Sequence, residues 1–405
     1  MIEKGESSIL RKSLRFDLGS SRAGSALSCQ TSRLLKVECG LRQTSLKDDQ
    51  VLRLTASRTL DMPVRILIVG AGAVGAFYGS RLAFAPNTAV SALCRSNFQA
   101  VKSGGFKISS PNFKDYVFRP EHTFGNPHEA RQSGVQWDYL LVSTKALPDV
   151  SEDSELLDGL VGDRTSIVLV QNGIGIEEPY RKRFPQASIL SAVTIVSAAQ
   201  PSNGVIKHNR WTRISIGPYL PYLAQDSSGS QSRDQLAVES CQKLVDLFKS
   251  GGVPDAEYYD HTGLQWVRWH KIAINAAMNP SSVLSGLSSS YSMSTDAELS
   301  RHLVGCMNEV LEAAPNILGQ PLPKHLATAD QILKSVQRNT SGSKPSMAAD
   351  WEQGRRMELE VILGNPIRIA REKGIEMPRL QSLYALLRMM QEQREKAKAR
   401  ARSKL

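Results

Sequence analysis

The sequence predicts an α/β protein: a Rossmann-type sheet domain followed by an all-helical C-terminal domain. Three observations carry that reading. The β-branched run Ile66-Leu67-Ile68-Val69 enters Gly70-Ala71-Gly72-Ala73-Val74-Gly75 without a spacer. Short apolar runs of the same kind recur as far as Gly217. From about residue 261 the apolar residues switch to helical spacing and no strand signal returns.

The 405 residues suffice for two domains with a sizeable core, and a hydrophobic share of 41% is that of a globular chain. No apolar run approaches the roughly 18 residues of a membrane span. Cys29, Cys39, Cys94, Cys241 and Cys306 show neither paired nor metal-ligand spacing, which suits a reducing compartment and suggests no metal site. The net charge of +11 raises the question of nucleic acid. Residues 1–60 hold 11 Lys/Arg against 6 Asp/Glu, and residues 388–405 hold 7 against 2, whereas the other 327 hold 32 against 31. The excess belongs to the two ends, and no basic patch with interleaved aromatics lies between them. Neither nucleic acid nor a membrane is expected as a partner.

Residues 1–60 carry ten serines, scattered Arg and no sustained hydrophobic period. Disorder without function explains them, and so does a start codon placed upstream of Met62. A transit peptide, which would make the location mitochondrial rather than cytoplasmic, is acid-poor, and the 6 acids count against it.

The glycine turn opens the body. The first Gly permits the turn, the second lets backbone approach a pyrophosphate, and the third packs helix on strand. A pyrophosphate there sits on the free N–H groups of the helix read from Ala76 to Leu82. Gly70, Ala71, Gly72, Ala73, Val74 and Gly75 are therefore the expected cofactor-binding turn. The second strand, Ala89 to Cys94, is followed by Arg95-Ser96-Asn97. NAD-preferring folds place an acid near here for the ribose 2′-OH, whereas Arg95 can pair with the extra phosphate of NADP(H). A solvated surface Arg is the alternative.

Tyr139 to Ser143 ends in Thr144-Lys145-Ala146, and Ser166 to Val170 ends in Gln171-Asn172-Gly173. Both read as strands, which puts Lys145 and Asn172 at carboxyl ends, where open sheets bind ligands. Ile189 to Thr194 and Arg213 to Gly217 read as two more strands. Residues 218–234, rich in Ser, Pro and Gly, read as an insertion loop before a helix from Leu236 to Lys249.

A helix from Leu264 to Asn279 carries Lys271, Asn275 and Asn279 along one side, and Pro280 is expected to stop it. A lysine in an apolar helix is costly unless paired or functional, and burial brings its pKa towards that of a donor working near neutrality. A snorkelling lysine beside two capping amides is the alternative. Ser346, Asp350, Gly354 and Glu358 recur every four residues in a helix read from Ser346 to Ile362. Taken alone, Glu358 among Arg355, Arg356 and Glu360 reads as a solvated residue. The basic run from Gln391 to Leu405 reads as a frayed helix end.

Together these stretches resemble the ketopantoate reductase (2-dehydropantoate 2-reductase) family over roughly residues 62–385. The carrying residues are the glycine turn, Ser143-Thr144-Lys145-Ala146, Gln171-Asn172-Gly173, the stretch from Trp269 to Pro280, and Ser346 to Asp350 leading to Glu358-Leu359-Glu360. The resemblance implies NADPH-dependent reduction of 2-dehydropantoate to pantoate, in pantothenate and coenzyme A biosynthesis. It implies Lys271 as the catalytic acid and Glu358 as a second active-site group. Asn275, Asn279 and Ser346 resemble substrate ligands. Lys145, Asn172 and Ala199 match cofactor-side positions, with Asn172 also near substrate. The family often has an Asn after its Asn-Pro, whereas Leu284 to Ser290 offers only Ser, Gly and Leu. A same-fold reductase of another 2-oxo acid or an imine therefore stays open, as does a non-catalytic NADP(H) sensor. A small 2-oxo acid is the expected partner, no metal is required, and a homodimer is open.

The expected division is an extension (1–61), an NADP-binding domain (62–260), a helical substrate domain (261–390) and a basic tail (391–405). A chain beginning at Met62 is expected to fold and keep full activity. Comparison of its melting temperature and turnover with those of the full chain is the check, and a lower melting temperature would show that the extension packs on the body.

Overall fold

The computed structural model describes residues 62–220 and 228–403. The readings of residues 1–61 fall outside them. Strand β1 (Val64–Val69) leads to helix α1 (Ala73–Leu82), β2 (Thr88–Leu93) and α2 (Phe98–Gly104). A small hairpin of β3 (Phe106–Ser109) and β4 (Tyr116–Phe118) follows, then β5 (Thr123–Phe124), α3 (Pro127–Gln132), β6 (Tyr139–Val142) and β7 (Ser166–Leu169). After α4 (Glu178–Arg183) come β8 (Ser188–Ser202), β9 (Val205–Pro218), α5 (Ser228–Ser250) and β10 (Ala256–Tyr258). The rest is helical: α6 (His261–Leu284), α7 (Ser290–Thr295), α8 (Ala297–Leu318), α9 (Ala329–Gln337), α10 (Ser346–Glu352), α11 (Asn365–Glu372) and α12 (Pro378–Arg402).

The strands form one sheet in the order β4-β3-β9-β8-β7-β6-β1-β2-β5, with β10 beside β9. From β5 to β8 all neighbours are parallel, and β9 turns back antiparallel on β8. The chain works outward from β1 through β2 to β5, then restarts on the other side with β6. That reversal between β1 and β6 opens the crevice in which such sheets hold ligands.

Burial explains the runs that make the sheet. Ile66, Leu67, Ile68 and Val69 are all fully buried, each stabilising by about 1.5–3 kcal/mol, as the interior strand of a doubly covered sheet requires. Their side chains alternate. Ile66 and Ile68 join the core under α1 and α5, while Leu67 and Val69 join a core that runs on through Trp266, Ile272 and Ala276 of α6. The helical lobe thus shares its core with one face of the sheet, and Pro63–Leu405 make one compact unit.

Several expectations need correction. The helix expected at Leu236 begins at Ser228, so 228–234 are helical rather than loop, while residues 221–227 lie outside those described. The strands read from Ile189 and Arg213 are longer, because Asn203-Gly204 closes β8 and β9 into a hairpin whose far end pairs with β3. Pro280 does not stop its helix. Burial of Ser281, Ser282 and Val283 holds one further turn of α6, outweighing the lost backbone bond. The helix read from Ser346 to Ile362 breaks after Glu352, where Gly354 takes a left-handed φ of +67°. Residues Glu360–Gly364 then form a wide π turn before α11.

The basic C-terminus is no separate tail. Helix α12 runs through it, and buried Gln391 accepts the Met357 N–H at 2.8 Å. Arg394 stacks on Trp351 at 3.8 Å and donates to its carbonyl at 2.9 Å, and Lys398 donates to the Gly354 carbonyl at 2.6 Å. These cations thus tie α12 to the backbone at and just beyond the end of α10. No helix among the described residues is long and apolar enough to cross a membrane.

Candidate active site

The carboxyl ends of β1, β6 and β7 meet on one side of the sheet. At the first, Gly70 has a φ of +91°, and a Cβ there would lie 2.7 Å from the Thr144 backbone nitrogen. A Cβ on Gly75 would fall 2.2 Å from Ser143 Oγ, which itself donates to the Gly70 carbonyl at 2.7 Å. The turn is therefore locked against the end of β6. Gly72 differs, since a Cβ there meets nothing within 4 Å. The first ladder bond of α1 runs from the Ala76 N–H to the Gly72 carbonyl, leaving the N–H groups of Ala73, Val74 and Gly75 ahead of it. No acid stands in the first turn of α1. Open space, free donors and a positive helix end fit a dinucleotide pyrophosphate.

Arg95 lies exposed just past β2. Its charge acts on Asp153, whose carboxyl burial nonetheless raises in pKa against bonds from Thr144 Oγ1 and Gln171 Nε2, both 2.9 Å. Buried Asn97 donates to the Ala71 carbonyl at 2.7 Å and fixes this loop on the glycine turn. Ala199 is exposed on the outer part of β8, next to Gln200, whose side chain Asn97 reaches at 3.5 Å.

The end of β7 meets α6. Lys271 Nζ donates to Asn172 Oδ1 at 2.8 Å, and the Asn172 amide also bonds Glu358. Burial is the main cause that brings the Lys271 pKa down to about 7; Arg268 adds to it and Glu358 opposes it. Glu358 is buried and accepts the Ala146 N–H at 3.2 Å. Burial raises its pKa and Asp350 adds to the shift, while Lys145 and the two hydrogen bonds work against it. Lys145 forms an ion pair with buried Asp350, which also holds Arg355 at 3.0 Å. A break in the helix, rather than the regular four-residue repeat, turns Glu358 inward: the loop after Gly354 releases it from the solvated face that its neighbours suggest.

Asn275 and Asn279 stand one and two turns along α6 from Lys271, and neither side chain has a hydrogen bond among the described residues. Ser346, at the start of α10, is exposed. Helix α10 packs on α6, which carries Lys271. So the chain brings Lys145, Asn172, Lys271 and Glu358 together beside the glycine turn, while Arg95, Ala199 and Ser346 lie around it. Among the described residues no group of three or more His, Cys, Asp or Glu is placed to hold a metal ion.

Residues to which the sequence reading gives no role also shape the site. Thr144, Asp153 and Gln171 knit the ends of β6 and β7, and Gln171 stands next to Asn172 in a motif already noticed. Arg268 and Glu177 form a buried ion pair under the same turn. An arginine one turn before Lys271 on a largely apolar helix face was the available signal.

A family model described as "Ketopantoate reductase PanE/ApbA" matches residues 66–221, and its C-terminal counterpart matches residues 264–391. An uncharacterized protein of Saccharomyces cerevisiae is 28% identical over 355 residues, covering 81% of this chain and 93% of that one. The 2-dehydropantoate 2-reductase of Nostoc sp. is 26% identical over 330 residues, covering 80% and 94%. The crystal structure of 2-dehydropantoate 2-reductase from Methylococcus capsulatus superposes with a TM-score of 0.67 at 29% identity, covering 82% and 97%.

Proposed function

Because the chain belongs to the ketopantoate reductase family, NAD(P)-dependent oxidoreductases acting on CH–OH groups, we propose that it reduces 2-dehydropantoate to pantoate with NADPH. The observation that carries this reading is the Lys271–Asn172 hydrogen bond, made beside buried Glu358 and next to the open glycine turn.

When bound, the dinucleotide supplies a hydride to the C2 ketone of the substrate. Negative charge then develops on the ketone oxygen, and a desolvated ammonium stabilises it far better than water does. Lys271 holds that oxygen and gives it a proton. Asn172 keeps Nζ in place through its carbonyl oxygen and links it to Glu358. Asn275 and Asn279, with their amides uncommitted, orient the substrate, and the Ser346 hydroxyl takes its carboxylate.

Loss of NADPH absorbance with a panel of 2-oxo acids tests the reading. Turnover is expected to be highest with 2-dehydropantoate. The loop Leu284 to Ser290, without an amide side chain, favours the second reading, a different 2-oxo acid. The panel decides between them, and no turnover with any member would refute both.

Cofactor choice is assigned to Arg95. Removing a bidentate contact to the 2′-phosphate costs about 1–3 kcal/mol, so Arg95→Ala should weaken NADPH binding and leave NADH binding nearly unchanged. Titration of each cofactor by fluorescence checks this, and equal weakening of both removes the assignment.

A further inference from the structure

Arg268, one turn before Lys271 on α6, has no part in the steps above. It is charged yet only 3% exposed, a costly placement unless its donors are used. Each guanidinium nitrogen has a partner. Nη1 donates to the carbonyls of Gln171 at 3.3 Å and Gly173 at 2.9 Å. Nη2 donates to Ser191 Oγ at 2.5 Å and the Ala192 carbonyl at 3.3 Å. Nε lies 3.2 Å from Glu177 Oε1, an ion pair rather than an aligned hydrogen bond, and Ser191 donates to that same oxygen at 2.6 Å.

The two carbonyls held by Nη1 belong to the residues on either side of Asn172. From the other side, the Val361 carbonyl accepts the Ile174 N–H at 2.8 Å. The turn is thus gripped on both flanks, with Asn172 between the grips. We propose that Arg268 is a positioning residue: by holding the carbonyls on both sides of Asn172, its guanidinium aims that side chain at Lys271 and Glu358. A planar fork spans two carbonyls where a lysine ammonium, a compact point charge, cannot. Glu177 supplies the counter-charge that lets the fork sit in the core.

The proposal rests on the reading of Lys271 as proton donor, and a double-mutant cycle separates the two. With Asn172 present, Arg268→Lys is expected to lower kcat about tenfold or more and leave KM for NADPH little changed. In the Asn172→Ala background the same substitution should cost less than about threefold, because no side chain remains to be aimed. A staple that merely joins α6 to the sheet would give equal losses in both backgrounds, and that result overturns the proposal. Should Arg268→Lys lose cooperative melting, the cycle is run with Arg268→Met/Glu177→Gln, which removes the buried charge together with its partner. A wild-type protein inactive on every 2-oxo acid would refute the Lys271 reading itself. Active wild type with equal losses refutes only the role of Arg268.

Discussion

Lys271→Ala is expected to lower kcat by about 10²-fold or more, since a positioned proton transfer contributes 10²–10⁴. NADPH affinity should change little, because Lys271 stands on α6 and the glycine turn on β1. Stability should hold or rise, because the substitution removes an amine whose burial disfavours its charge. The pH dependence has a definite sign. Reduction needs the ammonium, so kcat/KM for the 2-oxo acid should fall as pH rises through about 7. Oxidation of the product alcohol needs the neutral amine and should rise through the same range. The variant should lose that dependence in both directions. A folded Lys271→Ala protein with near-normal kcat would return the residue to a packing role.

Gly173→Ala should be the most damaging single methyl added near the site. The glycine has a φ of +107°, and a Cβ would fall 2.3 Å from Val361 Cβ and 2.9 Å from its carbonyl oxygen. Backbone strain and overpacking together should cost about 2–5 kcal/mol, because β7 and the π turn meet here without spare room. The melting temperature is expected to drop by several degrees. Turnover should drop as well, since the methyl pushes the Asn172 turn away from α6. Circular dichroism and a turnover assay on the same sample check both effects, and wild-type values for either would mean that Val361 yields easily.

The parts of the fold that follow local chemistry are readable in the chain. Ile66-Leu67-Ile68-Val69 and Tyr139-Leu140-Leu141-Val142 are buried on both faces and carry a continuous apolar signal, which the sheet confirms. The glycine turn is readable because three separate constraints fall on three fixed positions. What could not be read depends on tertiary packing. Pro280 looks like a stop, yet burial of the turn after it prevails. Gly354 looks like one step of a repeat, yet it ends a helix, and the departure from the repeat is what turns Glu358 inward. Arg268 is not readable because an arginine on a helix is normally solvated, and its four Nη donors find partners only once β7, β8 and α6 are assembled.

A π turn accommodates one residue more than an α turn, and such turns behave as single-residue insertions into a helix. Glu360–Gly364 stands between Glu358, held at the Ala146 N–H, and Asn365, whose side chain holds the Ile174 carbonyl at 2.7 Å. Deleting one residue in that interval would restore ordinary pitch and swing one anchor by about 100° relative to the other. Only one of the two contacts could then survive. Descent should therefore permit almost any side chain of fitting size here while forbidding a change in length. Aligned relatives that keep both anchors should show no gap between positions 358 and 365, however freely their loops gain and lose residues.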